Sequence, residues 1–383
     1  MEEPLICDNG TGSLKTGRCT SNFPEWSVPS MIGIPNPHYE ELADKSLNLS
    51  GEYIGFDVEP YRSALEITRP MEEGVVKDWD AMEKIWAYTF QKFERMDRSR
   101  TPLLLTEAPM NPLKNREKMA EIMFEKFGFL ALDVQVQATL SLYAMGYMTG
   151  LVVDSGDGVT HCIPVSEGVV NKHAIARMNL AGRHLTDQLI KLLLIRGYSF
   201  HTSADFETVR EIKEKLCYVS CNLAEERKLA KETTVLEEDY KLPDGTWIKV
   251  GQERFECGEL LFSPYLAGKD SEGLSDMIFK SIMNSPMDLR AGLFNSILLS
   301  GGTTMLPGIS TRIKKDVTAM HKTMRGGTKS KGIKINVEDP PYRKYLVYLG
   351  ATALARIMKL SPETWVYKFN WDEEGPRVIH KNR

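Results

Sequence analysis

Residues 152–161 read Val152-Val153-Asp154-Ser155-Gly156-Asp157-Gly158-Val159-Thr160-His161. An apolar strand ends in a carboxylate and passes at once into a turn built of glycine, hydroxyl and acid. The chain does nearly the same near its start, where Leu5-Ile6-Cys7 runs into Asp8-Asn9-Gly10-Thr11-Gly12. The leading aspartates stand 154 − 8 = 146 residues apart. A repeated strand followed by Asp-x-Gly-x-Gly predicts two related half-domains, each presenting one such turn.

That composition has a chemical reading. Alternate glycines let the backbone take positive φ and approach a ligand closely, so that successive amides face phosphate oxygens. The hydroxyls of Thr11 and Ser155 add donors. A carboxylate at the end of each strand repels bare phosphate, so Asp8 and Asp154 fit only with a hard cation such as Mg²⁺ alongside. The expected ligand is a metal nucleotide held by two turns. The competing reading is a pair of plain hairpin turns, which use the same residue types.

Composition narrows the class. At 383 residues the chain calls for two large domains. A hydrophobic share of 42% and a charged share of 26% are ordinary for a globular protein. A formal net charge of −4 argues against nucleic acid as the main partner, because phosphate backbones select basic faces. Six cysteines without a Cys-x-x-Cys pair make zinc a poor fit and suggest free thiols in a reducing compartment. The acidic Met1-Glu2-Glu3-Pro4 is unlike a signal peptide, and no apolar run is long enough to cross a bilayer.

Working outward, Lys15 follows the first turn, but Leu14 stands where a Walker motif needs glycine, so Lys15 is read as a point charge reaching back to phosphate. Residues 35–61 lack periodicity and read as a small mobile excursion. Helical spacing predicts helices over 80–93, 115–127, 137–145, 185–195 and 206–218. Strands are expected at 103–105, 134–136, around 152 and around 168–174, and Pro243-Asp244-Gly245 signals a hairpin within 235–255. Ile297-Leu298-Leu299 enters a third glycine loop, Ser300-Gly301-Gly302-Thr303-Thr304, before a helix from about 309. Residues 321–334 read as an exposed basic loop, and the aromatic C-terminal stretch from 365 is expected to pack on the first domain.

The two Asp-x-Gly-x-Gly turns, the 300–305 loop ending in Met305, Thr106-Glu107-Ala108-Pro109-Met110-Asn111-Pro112 and Ile212-Lys213-Glu214-Lys215-Leu216-Cys217-Tyr218 together resemble the actin family over most of the chain. Residues 203–210, 337–341 before Arg343-Lys344, 65–74 and the long basic loop are similar to its actin-related branch rather than to conventional actin. The resemblance implies an α/β, actin-like ATPase fold: two similar duplicated α/β domains with a nucleotide cleft between them, each carrying a smaller inserted subdomain. The boundaries expected are 1–143 with 345–383, with a subdomain near 33–68, and 144–344, with a subdomain near 181–275. Two departures stand out: His184 replaces the Asp usual after Ala-Gly-Arg, and Phe56 interrupts a usual Gly-Asp-Glu run. The 35–61 stretch also lacks the family's Gly- and Met-rich tip.

Carried over residue by residue, the resemblance implies ATP with Mg²⁺ held near Asp8 and Asp154, mostly through water. Gly10, Thr11, Gly12, Lys15, Ser155, Gly156, Asp157 and Gly158 would cradle the phosphates. Gly182, Arg210, Lys213, Glu214, Gly302, Thr303, Met305 and Lys344 would serve the adenosine. Gln137 would orient the attacking water and His161 assist its proton, with Asp154 as the third catalytic group. The partners implied are an actin filament, actin-related protein 3 and other subunits of an actin-branching complex, and nucleation-promoting factors, with no membrane and no nucleic acid. The place implied is the cytoplasmic actin cytoskeleton, and hydrolysis would be a slow timer. A divergent filament-forming actin is the main alternative. A small-molecule kinase of the same superfamily is weaker, since no second substrate pocket with a base can be identified.

Overall fold

The computed structural model describes residues 2–36, 51–324 and 333–380. The chain folds as two units, one of Met1–Met148, Glu167–Val170 and Tyr345–Arg383, the other of Thr149–Ser166 and Asn171–Lys344.

In the first unit the Leu5–Asn9 strand sits inside a mixed sheet. On one side it pairs antiparallel with Ser13–Arg18, which pairs antiparallel with Trp26–Pro29. On the other side it runs parallel to Pro102–Glu107, which runs parallel to Ala131–Val136. The second unit repeats this plan strand for strand. Gly150–Ser155 pairs antiparallel with Thr160–Ser166 and, through it, with Ala176–Met178. Its other neighbour, Ile297–Ser300, is parallel, as is Val337–Glu338 beyond. The duplication foreseen from two short motifs therefore extends to five strands with the same order and polarity.

Strands covered on both faces carry unbroken apolar runs, and Leu5, Ile6, Cys7 and Leu103, Leu104, Leu105 are all fully buried. One face of the first sheet is covered by helix Trp79–Gln91, whose Met82, Ile85, Trp86 and Phe90 point inward and whose first turn is capped by the Asp78 carboxylate accepting the Ala81 amide at 3.0 Å. The other face holds Ile6, Leu104 and Leu140 against Val347, Tyr348, Ala351 and Ala355 of helix Leu346–Met358. There a Cβ on Gly350 would lie 1.7 Å from the Leu140 carbonyl oxygen, so only glycine permits that approach. Val366 pairs with Leu132 at the edge of the same sheet, and Trp371 is buried in the unit's core.

Several sequence expectations shift. The helix expected over 115–127 is α-helical at Leu113–Glu121 and continues as a π turn, Ile122–Lys126. The strand expected around 168–174 is only Val169–Val170, followed by the 3₁₀ turn Lys172–Ala174. The 35–61 stretch is more than an excursion: residues 37–50 lie outside the described residues, but Gly55–Ala64 is a 3₁₀ helix whose Val58 is fully buried against Met31 and Leu65. Of the basic loop, 325–332 lie outside the described residues, and Lys322 belongs to helix Ile309–Met324. The hairpin at Pro243-Asp244-Gly245 is present, with Glu238–Lys241 paired to Trp247–Val250 and Gly245 at φ +91°. All six cysteines are free thiols. No helix among the described residues is long and apolar enough to cross a membrane.

Candidate functional site

Both Asp-x-Gly-x-Gly turns join antiparallel neighbours, so both are hairpin connections. The expectation that their glycines supply positive φ is corrected: neither Gly10 nor Gly156 adopts it. Gly10 is glycine for space, because a Cβ there would lie 2.5 Å from the Ser13 carbonyl oxygen and 3.0 Å from Lys15 Nζ.

In the first unit Asp8 is buried, and its carboxylate is held from three sides. Thr106 Oγ1 donates to Oδ1 at 2.6 Å, Gln137 Nε2 donates to the same oxygen at 3.2 Å, and Lys15 Nζ lies 3.3 Å from Oδ2. Gln137 Nε2 also reaches the Asn9 carbonyl at 3.2 Å. Behind the turn, the Asn9 amide donates to Thr106 Oγ1 at 3.1 Å, and Asn9 Oδ1 accepts Trp86 Nε1 at 3.1 Å. Ser30 Oγ donates to the Gly10 carbonyl at 2.9 Å. The register of the parallel strands brings Thr106 to Asp8, and it rests on a fully buried ion pair beneath. Arg116 Nη2 contacts Glu107 Oε1 at 2.5 Å and donates to the Val134 carbonyl at 3.1 Å. Asp8, Gly10, Lys15 and Gln137 are thus brought together, and the sequence reading missed Thr106, Asn9 and Ser30.

In the second unit the Ser155 hydroxyl points into the protein. It lies 2.8 Å from Thr160 Oγ1, whose own proton goes to the Leu180 carbonyl at 2.7 Å, so Ser155 is the donor of the pair. The Ser155 hydroxyl proton is therefore spent inside the protein. The Gly156 carbonyl accepts the Thr303 hydroxyl at 2.6 Å and the Gly182 amide at 3.1 Å. Asp157 pairs with Arg183 at 3.0 Å, and its carbonyl accepts the Arg183 amide at 2.9 Å. His161, across the hairpin from Asp154, is 1% exposed, and its Nε2 has no hydrogen-bond partner. Burial first, and the nearby Arg177 charge second, hold its pKa at about 3, so the ring is neutral.

The third loop is held by Arg343, which the sequence analysis gave no role in the site. Gly301 stands at φ +90° with the Ser155 carbonyl oxygen 2.3 Å from where its Cβ would be and Asp154 Oδ1 at 2.8 Å. Its amide donates to the Arg343 carbonyl at 3.2 Å, while the Arg343 guanidinium donates to the Thr304 carbonyl at 2.9 Å. Arg343 is buried and clamps the loop that carries Gly302, Thr303 and Met305, and Lys344 follows directly in the 3₁₀ turn Arg343–Tyr345.

Arg210, Lys213 and Glu214 do lie on helix Ser203–Leu216, but their side chains do not act alike. Arg210 bonds Glu207 at 2.7 Å and Glu214 at 3.1 Å. Lys213 is turned inward, donating to the Gly182 carbonyl at 2.7 Å and to Thr186 Oγ1 at 3.0 Å, and burial lowers its pKa. His184, the departure noted in the sequence, lies in the first turn of helix Gly182–Ile195, where its Nδ1 accepts the Ala181 amide at 3.3 Å. Burial also lowers its pKa, which favours the neutral ring that accepting requires. A capping carboxylate would accept in the same way.

The donor chemistry fits a hard cation better than a soft one. Among the described residues no three His, Cys, Asp or Glu side chains gather to hold a metal by themselves. A Mg²⁺ here would take much of its shell from phosphate and water oxygens, as that ion commonly does. Gly301 packs closely on Asp154, since a Cβ there would lie 2.8 Å from Oδ1.

Comparison with known proteins agrees in direction. The chain matches the actin family over residues 1–383. It is 47% identical over 380 residues to actin-related protein 2 of Acanthamoeba castellanii, covering 98% of both chains. The protein of the same name from Saccharomyces cerevisiae is 46% identical over 384 residues, covering 99% of this chain and 98% of that one. That of Oryza sativa subsp. japonica is 46% identical over 380 residues, with 98% and 97% covered.

Proposed function

Because the chain belongs to the actin family, we propose that it is an ATP-binding actin-related subunit that acts as a filament-like template in nucleating branched actin filaments. In this reading it works in the actin cytoskeleton beside actin-related protein 3 and the other subunits of the branching complex, on the side of an actin filament, under nucleation-promoting factors. The observation that carries the reading is identity of 45% to 47% with proteins named actin-related protein 2 over nearly their whole length. Large domains bounded as 1–143 with 345–383, and 144–344, belong to the same proposal.

Each phosphate turn is read as serving Mg–ATP. Asp8 and Asp154 would hold Mg²⁺ largely through water, and the amides of residues 10–12 and of Ser155, Asp157 and Gly158 would receive phosphate oxygens, with Lys15 adding charge; the Gly156 amide is already taken by the Val159 carbonyl. Bound Mg²⁺ supplies charge neutralisation on the phosphates. Gln137 has its amide nitrogen tied to Asp8 and to the Asn9 carbonyl, which leaves Oε1 to accept from an attacking water. His161, with a pKa near 3, does not store a proton at neutral pH. Its part is to accept a hydrogen bond at Nε2, which has no other partner. Gly182, Arg210, Glu214, Gly302, Thr303, Met305 and Lys344 shape the adenosine side. Hydrolysis is slow and acts as a timer, converting the γ-phosphate into a change of conformation.

The test is purification from the native cell. The chain should co-elute in a stable multi-subunit assembly that retains ATP and loses it on chelation of Mg²⁺. A lone chain that polymerises with ATP and salt would replace this reading with a filament-forming actin.

A further inference from the structure

The Gly156 carbonyl oxygen is the meeting point of three segments far apart in sequence. Thr303 Oγ1 donates to it at 2.6 Å and the Gly182 amide at 3.1 Å, filling both lone pairs. The Gly156 amide turns back to the Val159 carbonyl at 3.2 Å, closing the turn on itself. One residue on, the Asp157 carbonyl accepts the Arg183 amide at 2.9 Å. The first two amides of helix Gly182–Ile195 are therefore spent on the phosphate turn rather than left for a ligand. Behind that helix start the Lys213 ammonium, buried beneath helix Ser203–Leu216, donates to the Gly182 carbonyl at 2.7 Å and to Thr186 Oγ1 at 3.0 Å. The fit leaves no slack: a Cβ on Gly182 would lie 2.7 Å from Thr303 Oγ1 and 3.3 Å from the Gly156 oxygen.

We infer that Thr303 and Lys213 are positioning residues that couple the adenosine side of the site to the phosphate side, acting through the Gly156 carbonyl rather than by bonding the nucleotide with their polar groups. Thr303 leaves the base-side loop and ends on the phosphate turn. Lys213 leaves the ribose-side helix and ends on Gly182, which ends on the same atom. A purine nucleoside seated against the 302–305 loop thereby fixes Gly156, and with it the direction in which the following amides point. The coupling is a means of selecting nucleoside triphosphate over nucleoside diphosphate. It rests on the nucleotide reading above for its ligand, and on the bonds named here for its path.

The experiment compares the full chain with Thr303→Val and Thr303→Ser. Valine keeps the shape and removes the donor, and serine restores it. Affinities for Mg–ATP, Mg–ADP and AMP are measured for each, with amide hydrogen exchange of residues 155–160 and 181–186 in the nucleotide-free chain. The expected result for Thr303→Val is a roughly tenfold loss in the ratio of ATP to ADP affinity, the size of one good hydrogen bond. AMP affinity should change less than about threefold on the same scale. Exchange should be faster at 155–160 and 181–186, and Thr303→Ser should behave as the parent. Lys213→Met, which takes the donor from Gly182, should lower the same ratio and quicken exchange at 181–186. Equal loss for all three nucleotides would overturn the coupling, making Thr303 an ordinary adenosine contact. Unchanged exchange in Thr303→Val would overturn it as well. If the parent binds no nucleotide while Thr303→Val still quickens exchange, the nucleotide reading fails and the strut stands.

Discussion

Thr106→Val should weaken the first aspartate turn. Thr106 Oγ1 donates to the buried Asp8 carboxylate at 2.6 Å and accepts the Asn9 amide at 3.1 Å. The same oxygen accepts Gln137 Nε2 at 3.3 Å, and valine preserves the shape while deleting all three bonds. A hydrogen bond to a charged group contributes about 1.5–3 kcal/mol, and orphaning a buried donor costs about 1–3 kcal/mol. Against this, the extra buried methyl contributes about 0.8 kcal/mol. The net loss is about 3 kcal/mol, a little over two decades in an opening equilibrium. Because a chain of two units does not license a single unfolding free energy, amide hydrogen exchange resolved by segment is the suitable assay. Protection should fall by roughly 100-fold in the strands Leu5–Asn9 and Pro102–Glu107. It should hold within about threefold in Gly150–Ser155 and Ile297–Ser300. Thr106→Ser retains the hydroxyl and should lose only about 1 kcal/mol for its methyl. Equal losses in the valine and serine variants would refute the reasoning, since the hydroxyl would then contribute nothing.

Further outcomes follow from the same geometry. Gly301→Ala should destabilise the second unit by about 3 kcal/mol, because left-handed backbone strain adds to a Cβ placed 2.3 Å from the Ser155 carbonyl oxygen; amide hydrogen exchange in Gly150–Ser155 and Ile297–Ser300 reads it, and unchanged protection there would contradict the packing. Cutting the buried Arg116–Glu107 pair on one side should cost about 3–5 kcal/mol, and replacing both partners by apolar residues should recover much of it, as a double-mutant cycle would show. His161 gives a pH dependence whose sign is set by a folded pKa of about 3 against an unfolded value of 6.5. The unfolded chain takes up a proton that the folded chain refuses, so this contribution is full above pH 6.5 and declines as pH falls toward 3. By pH 5 it has lost about 2 kcal/mol. His161→Gln should flatten that part of the stability profile, and an unchanged slope would place the titration elsewhere.

Much of this was legible in the chain because it is encoded locally. The two aspartate turns, the covered strands and the Pro243-Asp244-Gly245 hairpin each depend on residues within a few positions of one another. The π turn at Ile122–Lys126 and the buried Val58 were not legible. Helical periodicity does not distinguish one extra residue per turn, and a single valine amid polar neighbours gives no sign of the two residues, Met31 and Leu65, that cover it. His184, a departure from the family pattern in the sequence, accepts the Ala181 amide at its ring nitrogen in the helix start, which the sequence did not show.

The sequence alone determined that there are two related halves, where each turn lies, and that the ends of the two strands carry carboxylates. It did not determine what holds those carboxylates. Thr106 meets Asp8 from 98 residues away, and Thr303 meets Gly156 from 147 residues away. Arg343 fixes Thr304 from 39 residues away. Strand register and helix docking choose such partners, and no local pattern marks a lone threonine or arginine for them. Nor did the sequence reveal that Ser155 turns its hydroxyl inward, or that Lys213 ends on a carbonyl. A side chain's donors go to whichever acceptor burial leaves within reach, and only the folded arrangement decides which one that is.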